Sequence, residues 1–198
     1  KGFVMKQMIL ASASPRRKEL LGLLETDFQI VPARKEEVLT TSDPGTAVRE
    51  LSSQKAWEVA EKSGPDTLVI GADTVVALDG EILGKPAGEE GARAMLKKLQ
   101  GRTHSVFTGV TVIGVGKEDT WTRTFAEETR VTISPMTDAQ IQNYVNHGES
   151  LDKAGAYAIQ GVFGVFVERI EGDYNNVVGL PVSRLYRELR QAGEDWVK

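Results

Sequence analysis

Residues 68–86, LVIGADTVVALDGEILGKP, place a carboxylate directly after an apolar run and then turn the chain back on itself. The first of these residues are β-rich and apolar, and they predict a buried strand with Asp73 at its end. A carboxylate at the edge of an apolar core is costly unless it meets a cation or hydrogen-bond donors, so Asp73 needs a partner. Asp79 and Gly80 predict a hairpin turn that folds residues 84–86 back alongside the first strand, so that Lys85 can lie near Asp73. The alternative is an Asp that caps a strand end and a Lys that is solvated in a loop.

The composition of the 198-residue chain restricts its class and its chemistry. A prior of roughly one domain per 150 residues suggests that residues 1–198 form one large domain or a two-lobed one. The content of 40% hydrophobic and 26% charged residues is typical of soluble globular proteins. The absence of cysteine excludes disulfides, thiolate catalysis and zinc–thiolate sites, and 2 histidines are too few for a His-rich metal site.

Charge and hydropathy also restrict the partners of the chain. The formal net charge of -4 argues against nonspecific nucleic-acid binding, so an anionic ligand would need locally clustered cations or a metal. No apolar run approaches the roughly 20 residues of a membrane span, and the N-terminal stretch KGFVMKQMILA is too short and too soon interrupted for a signal peptide. We therefore expect a cytoplasmic enzyme or binding protein that binds neither nucleic acid nor a membrane.

The N-terminal region combines a short apolar strand, QMILA, with a helix whose first turn carries two arginines. Ser14 is a good N-cap and Pro15 suits the first helical position, so a helix is predicted over residues 15–24. Cations in a first turn oppose the helix dipole by about 0.3–1 kcal/mol each, whereas an anion bound there would reverse the sign of the effect. Arg16 and Arg17 therefore predict a phosphate site, and the alternative is a solvated pair on the surface.

A second helix, predicted over residues 45–62, follows a short strand at 28–31 and a polar loop. The loop contains an acidic pair, Glu36 and Glu37, which taken alone is expected to be solvated. On the helix, spacings of three and four place Lys55 among core-facing positions. A lysine that snorkels to solvent is the simpler interpretation of that pattern, and a lysine that faces a binding cleft is the other.

The remainder of the chain mixes predicted strands and helices. In order, the patterns predict a helix at 88–99, a long hairpin of strands at 103–115 and 121–133, a helix that begins at a capping box at Thr137, a strand at 162–170, a turn-rich loop EGDYNN, and a helix at 181–192. No repeat, low-complexity tract or linker interrupts them. We therefore predict an α/β fold with a mixed β-sheet and flanking helices.

Common nucleotide-binding and catalytic motifs do not fit the sequence. Residues 80–86 fail as a P-loop, because the gap between the glycines is wrong and Pro86 stands where Ser or Thr should hold magnesium. Residues 114–116 and 161–164 do not complete a dinucleotide-binding fingerprint. No Gly-x-Ser-x-Gly elbow or His-Glu-x-x-His helix occurs, and both histidines are expected to be structural.

Six stretches together give the chain a specific resemblance that extends almost from end to end. They are LASASPRRKELL, the helix that contains Lys55 and Ala56, IGADTVVALDGEILGKP, THSVFTGV, LDKAGAYAIQG and VGLPV. In these the chain resembles the Maf family of nucleoside triphosphate pyrophosphatases, which are also connected with septum formation. The resemblance implies a hydrolase that uses a divalent cation, Mg²⁺, Mn²⁺ or Co²⁺, to convert a nucleoside triphosphate into the monophosphate and pyrophosphate. It also implies a two-lobed α/β fold related to the inosine triphosphate pyrophosphatases, with the site in a central cleft, and commonly a homodimer.

The resemblance assigns site residues position by position. It implies that Asp73 is the proton acceptor and that Glu37, which aligns better than Glu36 with the functional carboxylate, joins Asp73 in holding the metal. The positions that it assigns to substrate binding through motif matches are Ser12, Arg16, Arg17, Lys55 and Lys85. The resemblance thus gives Lys55 a reason to face the cleft.

Three further positions concern the choice of base. Family members that prefer dTTP and UTP resemble this chain at Arg16, Thr74 and Gln160, whereas members that act on methylated GTP tend to carry Trp, Gln and Glu there. A Gln amide presents both a donor and an acceptor to the edge of uracil or thymine, which suits Gln160 as a base reader.

The resulting hypothesis is metal-assisted hydrolysis of dTTP and UTP, with modified pyrimidine triphosphates as further candidates. Asp73 and Glu37 hold the cation through oxygen ligands, and the cationic side chains neutralise the triphosphate. Asp73, or a metal that it holds, activates water for attack at the α-phosphorus. Two alternatives remain open. One is a nucleotide-binding regulator of septum formation that acts through a cell-division partner, and the other is a pyrophosphatase for purines such as inosine triphosphate.

Overall fold

The central element of the protein is a seven-stranded mixed sheet, in a computed structural model that describes residues 5–194. The strands are β1 (Gln7–Leu10), β2 (Gln29–Ile30), β3 (Thr67–Leu78), β4 (Glu81–Leu83), β5 (Thr103–Val115), β6 (Thr120–Ile133) and β7 (Val167–Glu171). Their order is β2-β1-β3-β5-β6-β7, and β4 pairs with β3. β1 is parallel to β2 and β3, whereas the other pairs are antiparallel. The predicted α/β fold with a mixed sheet is confirmed, while residues 1–4 of the N-terminal stretch considered above lie outside the described residues.

One edge of β3 is shared by two strands and is open between them. β1 pairs with residues 67–70, and β4 pairs with residues 76–78. In the described chain, residues 71–75 therefore have no strand partner on that edge, although β5 pairs with them on the other. Asp73 lies in the middle of this gap, opposite Gly109 of β5. The prediction that the strand ends at Asp73 is wrong, because pairing with β5 continues through it.

Helices flank the sheet, and several begin at capping residues that the sequence indicates. They are α1 (Pro15–Gly22), α2 (Pro44–Ala60), α3 (Gly88–Leu99), α4 (Asp138–Asn146), α5 (Tyr174–Val178) and α6 (Val182–Gln191). The side chains of Ser14 and Asp43 accept the first-turn N–H groups of α1 and α2, and the predicted capping box of Thr137 with Gln140 is confirmed. Over residues 5–194, no helix combines the length and the apolar character needed to cross a bilayer.

Two large apolar clusters lie at opposite ends of the long central strands. One joins α1 and α6 to the first half of β3 and includes Leu21 and Ile70. The other joins α3 and α4 to the second half of β3 and includes Val76 and Phe163. Ile159 packs against both clusters. We propose that these clusters are the cores of two lobes of one domain, with the open edge of β3 between them.

The segment before β7 differs from the prediction. A strand was expected over residues 162–170, but Val162–Phe166 is a 3₁₀ helix and β7 begins only at Val167. Phe163 is completely buried and Phe166 packs against the same cluster, whereas Val165 is 78% exposed. β-branched and aromatic composition alone does not specify a strand, because what decides is whether alternate side chains find a core to pack against.

The EGDYNN segment, predicted to be a loop, contains the start of the short helix α5. Its N-cap is Asp173, whose carboxylate accepts the backbone N–H of Asn175 at 2.8 Å. Asn176 in this helix is completely buried. The capped helix α5 thus places a polar side chain in the protein interior, close to the candidate site.

Candidate active site

The carboxylate of Asp73 lies in direct contact with the ammonium group of Lys55 from α2. The same ammonium group lies 2.9 Å from Oε1 of Glu37, so one cation bridges two carboxylates. The side chains of Asp73 and Lys55 are only 13% and 17% exposed, whereas that of Glu37 is 48% exposed. Lys55 is therefore the partner that the position of Asp73 requires, and Glu37 covers the pair from the solvent side.

Lys55 reaches Asp73 because α2 packs directly on the backbone of the sheet. A Cβ atom at Gly71 would lie 2.5 Å from the carbonyl oxygen of Ser52, and one at Gly109 would lie 2.0 Å from that of Val48. The hydroxyl of Ser52 also hydrogen-bonds at 3.0 Å to a threonine of β5. The two glycines in neighbouring strands thus allow α2 to pack close to the sheet, and this close packing lets the side chain of Lys55 reach Asp73.

A second group of side chains gathers around Arg17. Its guanidinium group donates to the carbonyl oxygen of Gly179 at 2.8 Å, to the hydroxyl of Thr74 at 3.0 Å and to that of Ser12 at 3.4 Å. Burial lowers the pKa of Arg17 below its ordinary value, and the negative charge of Asp73 opposes that shift. Arg17 is thus a fixed cation within electrostatic range of Asp73.

Thr74 is held from its other side by a chain of hydrogen bonds that the sequence did not indicate. Its hydroxyl lies 2.8 Å from that of Thr108, which in turn donates to the backbone oxygen of Asn176 at 3.0 Å. Because Arg17 only donates and a carbonyl only accepts, the two hydroxyl protons must both point toward Asn176. Thr108 lies in the THSVFTGV stretch noted above, but Asn176 lies in the segment that was expected to be a loop, so no local signal connected them.

Comparison with known proteins identifies the family of this chain. A family model described as Maf-like protein matches residues 7–192. The chain belongs to the Maf family. A similar protein of Agathobacter rectalis, named dTTP/UTP pyrophosphatase, is 50% identical over 204 residues, which cover 96% of this chain and 100% of that protein. A protein of Lachnoclostridium phytofermentans with the same name is 46% identical over 98% of this chain and 99% of that protein.

Among solved structures, the Ham1 protein of Staphylococcus aureus is similar at 16% sequence identity with a TM-score of 0.47. The match covers 65% of this chain and 72% of that one. The Maf resemblance inferred from the sequence motifs is confirmed by the family match and by the curated relatives.

Three residues that the Maf resemblance assigns to the substrate form no side-chain hydrogen bond or ion pair with either group in the described chain, although Arg16 lies within electrostatic range of Arg17. Lys85 and Gln160 are exposed, and within residues 5–194 neither they nor Arg16 form an ion pair or a side-chain hydrogen bond. The pKa of Asp152 is lowered mainly by a hydrogen bond from its neighbouring lysine and to a smaller extent by the charge of Arg16. Arg16 therefore lies within electrostatic range of Asp152. Within the described residues the ion-pair partner of Asp73 is Lys55 and not Lys85, and the substrate-binding roles of Lys85, Gln160 and Arg16 stay predictions.

The carboxylates of Asp73 and Glu37 can supply part of the ligand set of a hard divalent cation. Both carboxylates already converge on one ammonium group, and Mg²⁺ in proteins is often held by one or two carboxylates, with water and substrate phosphates completing its shell. Over residues 5–194, no group of three or more His, Cys, Asp or Glu residues could hold a metal by itself. The arrangement thus suits a cation that arrives together with a phosphate ligand.

Proposed function

We propose that this Maf-family chain hydrolyses nucleoside triphosphates, dTTP and UTP in particular, to the monophosphate and pyrophosphate. The observation that carries the proposal is the convergence of Asp73 and Glu37 on Lys55 at the open edge of β3, beside the fixed cation of Arg17. It is supported by the relatives named dTTP/UTP pyrophosphatase, which are 46–50% identical over nearly the full chain. A site of two carboxylates and two cations suits a substrate that is itself a polyanion with a counter-cation.

In the reaction, Asp73 accepts a proton from the water that attacks the α-phosphorus. The water oxygen forms a bond to phosphorus, the bond from the α-phosphorus to the bridging oxygen breaks, and pyrophosphate leaves with the electron pair. Lys55 keeps the carboxylate of Asp73 in place, and Arg17 stabilises the charge that develops on the phosphates. Thr74 and Ser12 hold Arg17 so that the cation is already ordered before the substrate arrives.

A divalent cation would be held by Asp73 and Glu37. The chemistry that it supplies is neutralisation of phosphate charge and polarisation of a phosphoryl oxygen. Because the ammonium group of Lys55 contacts both carboxylates, it would compete with such a cation for them. Mg²⁺, Mn²⁺ and Co²⁺ are the candidates.

Preference for a pyrimidine base is assigned to Arg16, Thr74 and Gln160. The hydroxyl proton of Thr74 is directed to Thr108, so Thr74 offers a base only its remaining acceptor lone pair and its methyl group. An acceptor of that kind can receive a hydrogen bond from the N–H of uracil or thymine. The homodimer, the cell-division partner and the cytoplasmic location stay predictions.

The proposal is tested by measuring pyrophosphate release from a panel of ordinary and modified triphosphates with each of the three metals, and with EDTA as the control. We expect metal-dependent release led by dTTP and UTP. Asp73→Asn should abolish release while circular dichroism and the melting temperature stay close to those of the parent, because Lys55 keeps its ion pair with Glu37. The matched control is Asp119→Asn, at an exposed position of the β5–β6 connection.

Full activity of Asp73→Asn would remove the assigned role of that carboxylate. Release led by a purine triphosphate would keep the reaction and overturn the assignment of the three selectivity residues. No release from any triphosphate would overturn the proposed activity.

A further inference from the structure

The segment of residues 34–40, here called the strap, carries Glu37 along the surface of α2. It contains neither helix nor strand, and each of its residues is exposed. Its backbone is held by three side chains of α2. Glu58 accepts from the N–H groups of Arg34 and Lys35, and Glu50 accepts from the N–H of Thr40. Between them, Gln54 hydrogen-bonds to both the N–H and the carbonyl group of Val38. Glu50, Gln54 and Glu58 are spaced by four residues, so they form one row along the helix.

The central contact of this row is a two-point clamp. The side-chain oxygen of Gln54 accepts the N–H of Val38 at 2.9 Å, and its side-chain nitrogen donates to the carbonyl oxygen of Val38 at 2.6 Å. An amide is suited to this because it offers an acceptor and a donor on adjacent atoms. Val38 follows Glu37 directly in the chain, and Gln54 precedes Lys55 directly on the helix. The clamp therefore lies beside the ion pair of Glu37 with Lys55.

The ion pair alone is a weak means of placing Glu37. The carboxylate of Glu37 is 48% exposed, although Lys55 is only 17% exposed, so water screens the pair from the Glu37 side and both long side chains lose freedom in forming it. The other strap contacts hold residues 34, 35 and 40, which lie two or three residues away from Glu37. The backbone next to Glu37 is thus fixed chiefly by Gln54.

We propose that Gln54 is a positioning residue: by clamping Val38 it holds the carboxylate of Glu37 toward Asp73, where the two together receive the divalent cation. The inference rests on the proposed function for the metal-binding role of Glu37. The clamp itself does not depend on that function, and its effect on the strap is measurable without turnover. Gln54 touches neither substrate nor metal in this assignment.

The first experiment measures amide hydrogen exchange in peptides that cover the strap. Gln54→Ala should speed exchange in these peptides about tenfold or more, because both bonds to Val38 are lost. Gln54→Glu keeps an acceptor for the N–H of Val38 but directs a second carboxylate oxygen at its carbonyl, so its effect should be intermediate. The control is Asn143→Ala, which removes an exposed amide side chain from α4 and should leave exchange in the strap unchanged.

The second experiment follows Mn²⁺ binding to the protein by electron paramagnetic resonance, together with the Mn²⁺ dependence of pyrophosphate release. Gln54→Ala should weaken Mn²⁺ binding by about 10- to 100-fold, the range found when a partner that orients a metal ligand is removed. At saturating Mn²⁺ its kcat should return close to that of the parent, since Asp73, Lys55 and Arg17 are untouched. In a Glu37→Gln background, Gln54→Ala should have no further effect on Mn²⁺ binding, because the carboxylate that it positions is already lost.

The outcomes separate the clamp from the activity. Unchanged exchange in Gln54→Ala overturns the inference, and so does faster exchange with unchanged Mn²⁺ binding. An equal loss of Mn²⁺ binding with and without the Glu37 carboxylate also overturns it, because Gln54 would then act elsewhere. If the parent hydrolyses no triphosphate, the proposed function fails, while the exchange and Mn²⁺ data still decide the role of Gln54.

Discussion

Replacing Gly109 with Ala should push α2 away from the sheet and so separate Lys55 from Asp73. The added Cβ would lie 2.0 Å from the carbonyl oxygen of Val48, and the obstacle is backbone, which cannot rotate aside. Carbon and oxygen atoms in ordinary contact are roughly 3.5 Å apart, so α2 has to retreat by about 1.5 Å at this point. Overpacking of a core costs about 1–3 kcal/mol, and we expect the upper end of that range here.

The functional effect should be larger than the loss of stability suggests. A misplacement of about 1 Å at a catalytic group can cost about 100-fold in rate, so kcat/KM for dTTP should fall about 100-fold. Unfolding in urea gives the free-energy difference, and about 3 kcal/mol corresponds to a melting temperature lower by about 6–12 °C for a chain of this size. Both quantities are measured on the same preparation.

The matched control is Gly22→Ala in α1, where an added Cβ has no heavy atom within 4 Å. This change should raise stability by up to about 1 kcal/mol through helix propensity and leave turnover unchanged. If Gly109→Ala stays within about 0.5 kcal/mol of the parent, the packing argument is wrong. If it is destabilised but keeps full turnover, α2 does not place Lys55 in the way described.

Two other predictions follow from the charged and buried groups. Lys55→Met removes the ammonium group that competes for both carboxylates, so Mn²⁺ should bind the free protein about tenfold more tightly. Turnover should nevertheless be abolished. Weaker or unchanged Mn²⁺ binding in calorimetry would contradict this expectation. Burial lowers the pKa of His104 from 6.5 to about 4. As the pH falls, this imidazole is therefore protonated in the unfolded chain before it is protonated in the folded protein. The free energy of unfolding should therefore drop by roughly 3 kcal/mol between pH 6.5 and 4. His104→Gln, which keeps a hydrogen-bonding group for Tyr157, should lose that part of the pH dependence in urea titrations at successive pH values.

Features that local chemistry decides were predictable from the sequence. Ser14 caps α1, and Thr137 begins α4 with a capping box. Both caps were predictable because each involves only groups within four residues of one another. The Asp79-Gly80 turn between β3 and β4 is likewise local, and both of its residues adopt the positive φ that such a turn requires. The long hairpin of β5 and β6 follows from composition and a short connection.

The partners within the site were not predictable in the same way. The hairpin pattern allowed Lys85 to lie near Asp73, but the ion-pair partner of Asp73 is Lys55, from a helix that precedes β3. The close packing of this helix depends on glycines in two strands. Thr108 and Asn176 are 68 residues apart, and their contact depends on a helix that composition suggested was a loop. Such contacts are products of packing, which residue spacing does not report.

The two halves of the site meet because Asp73 and Thr74 are adjacent in one extended strand. Successive side chains of a strand point to opposite faces, so Asp73 contacts α2 while Thr74 contacts Arg17 of α1. A triphosphate that reaches both groups has to cross the edge of β3 between them. A strand paired with residues 71–75 would block that path, and in the described chain β1 ends before this stretch and β4 begins after it. The interruption of the sheet edge therefore leaves Asp73, whose side chain is 13% exposed, without a covering strand between the two apolar clusters.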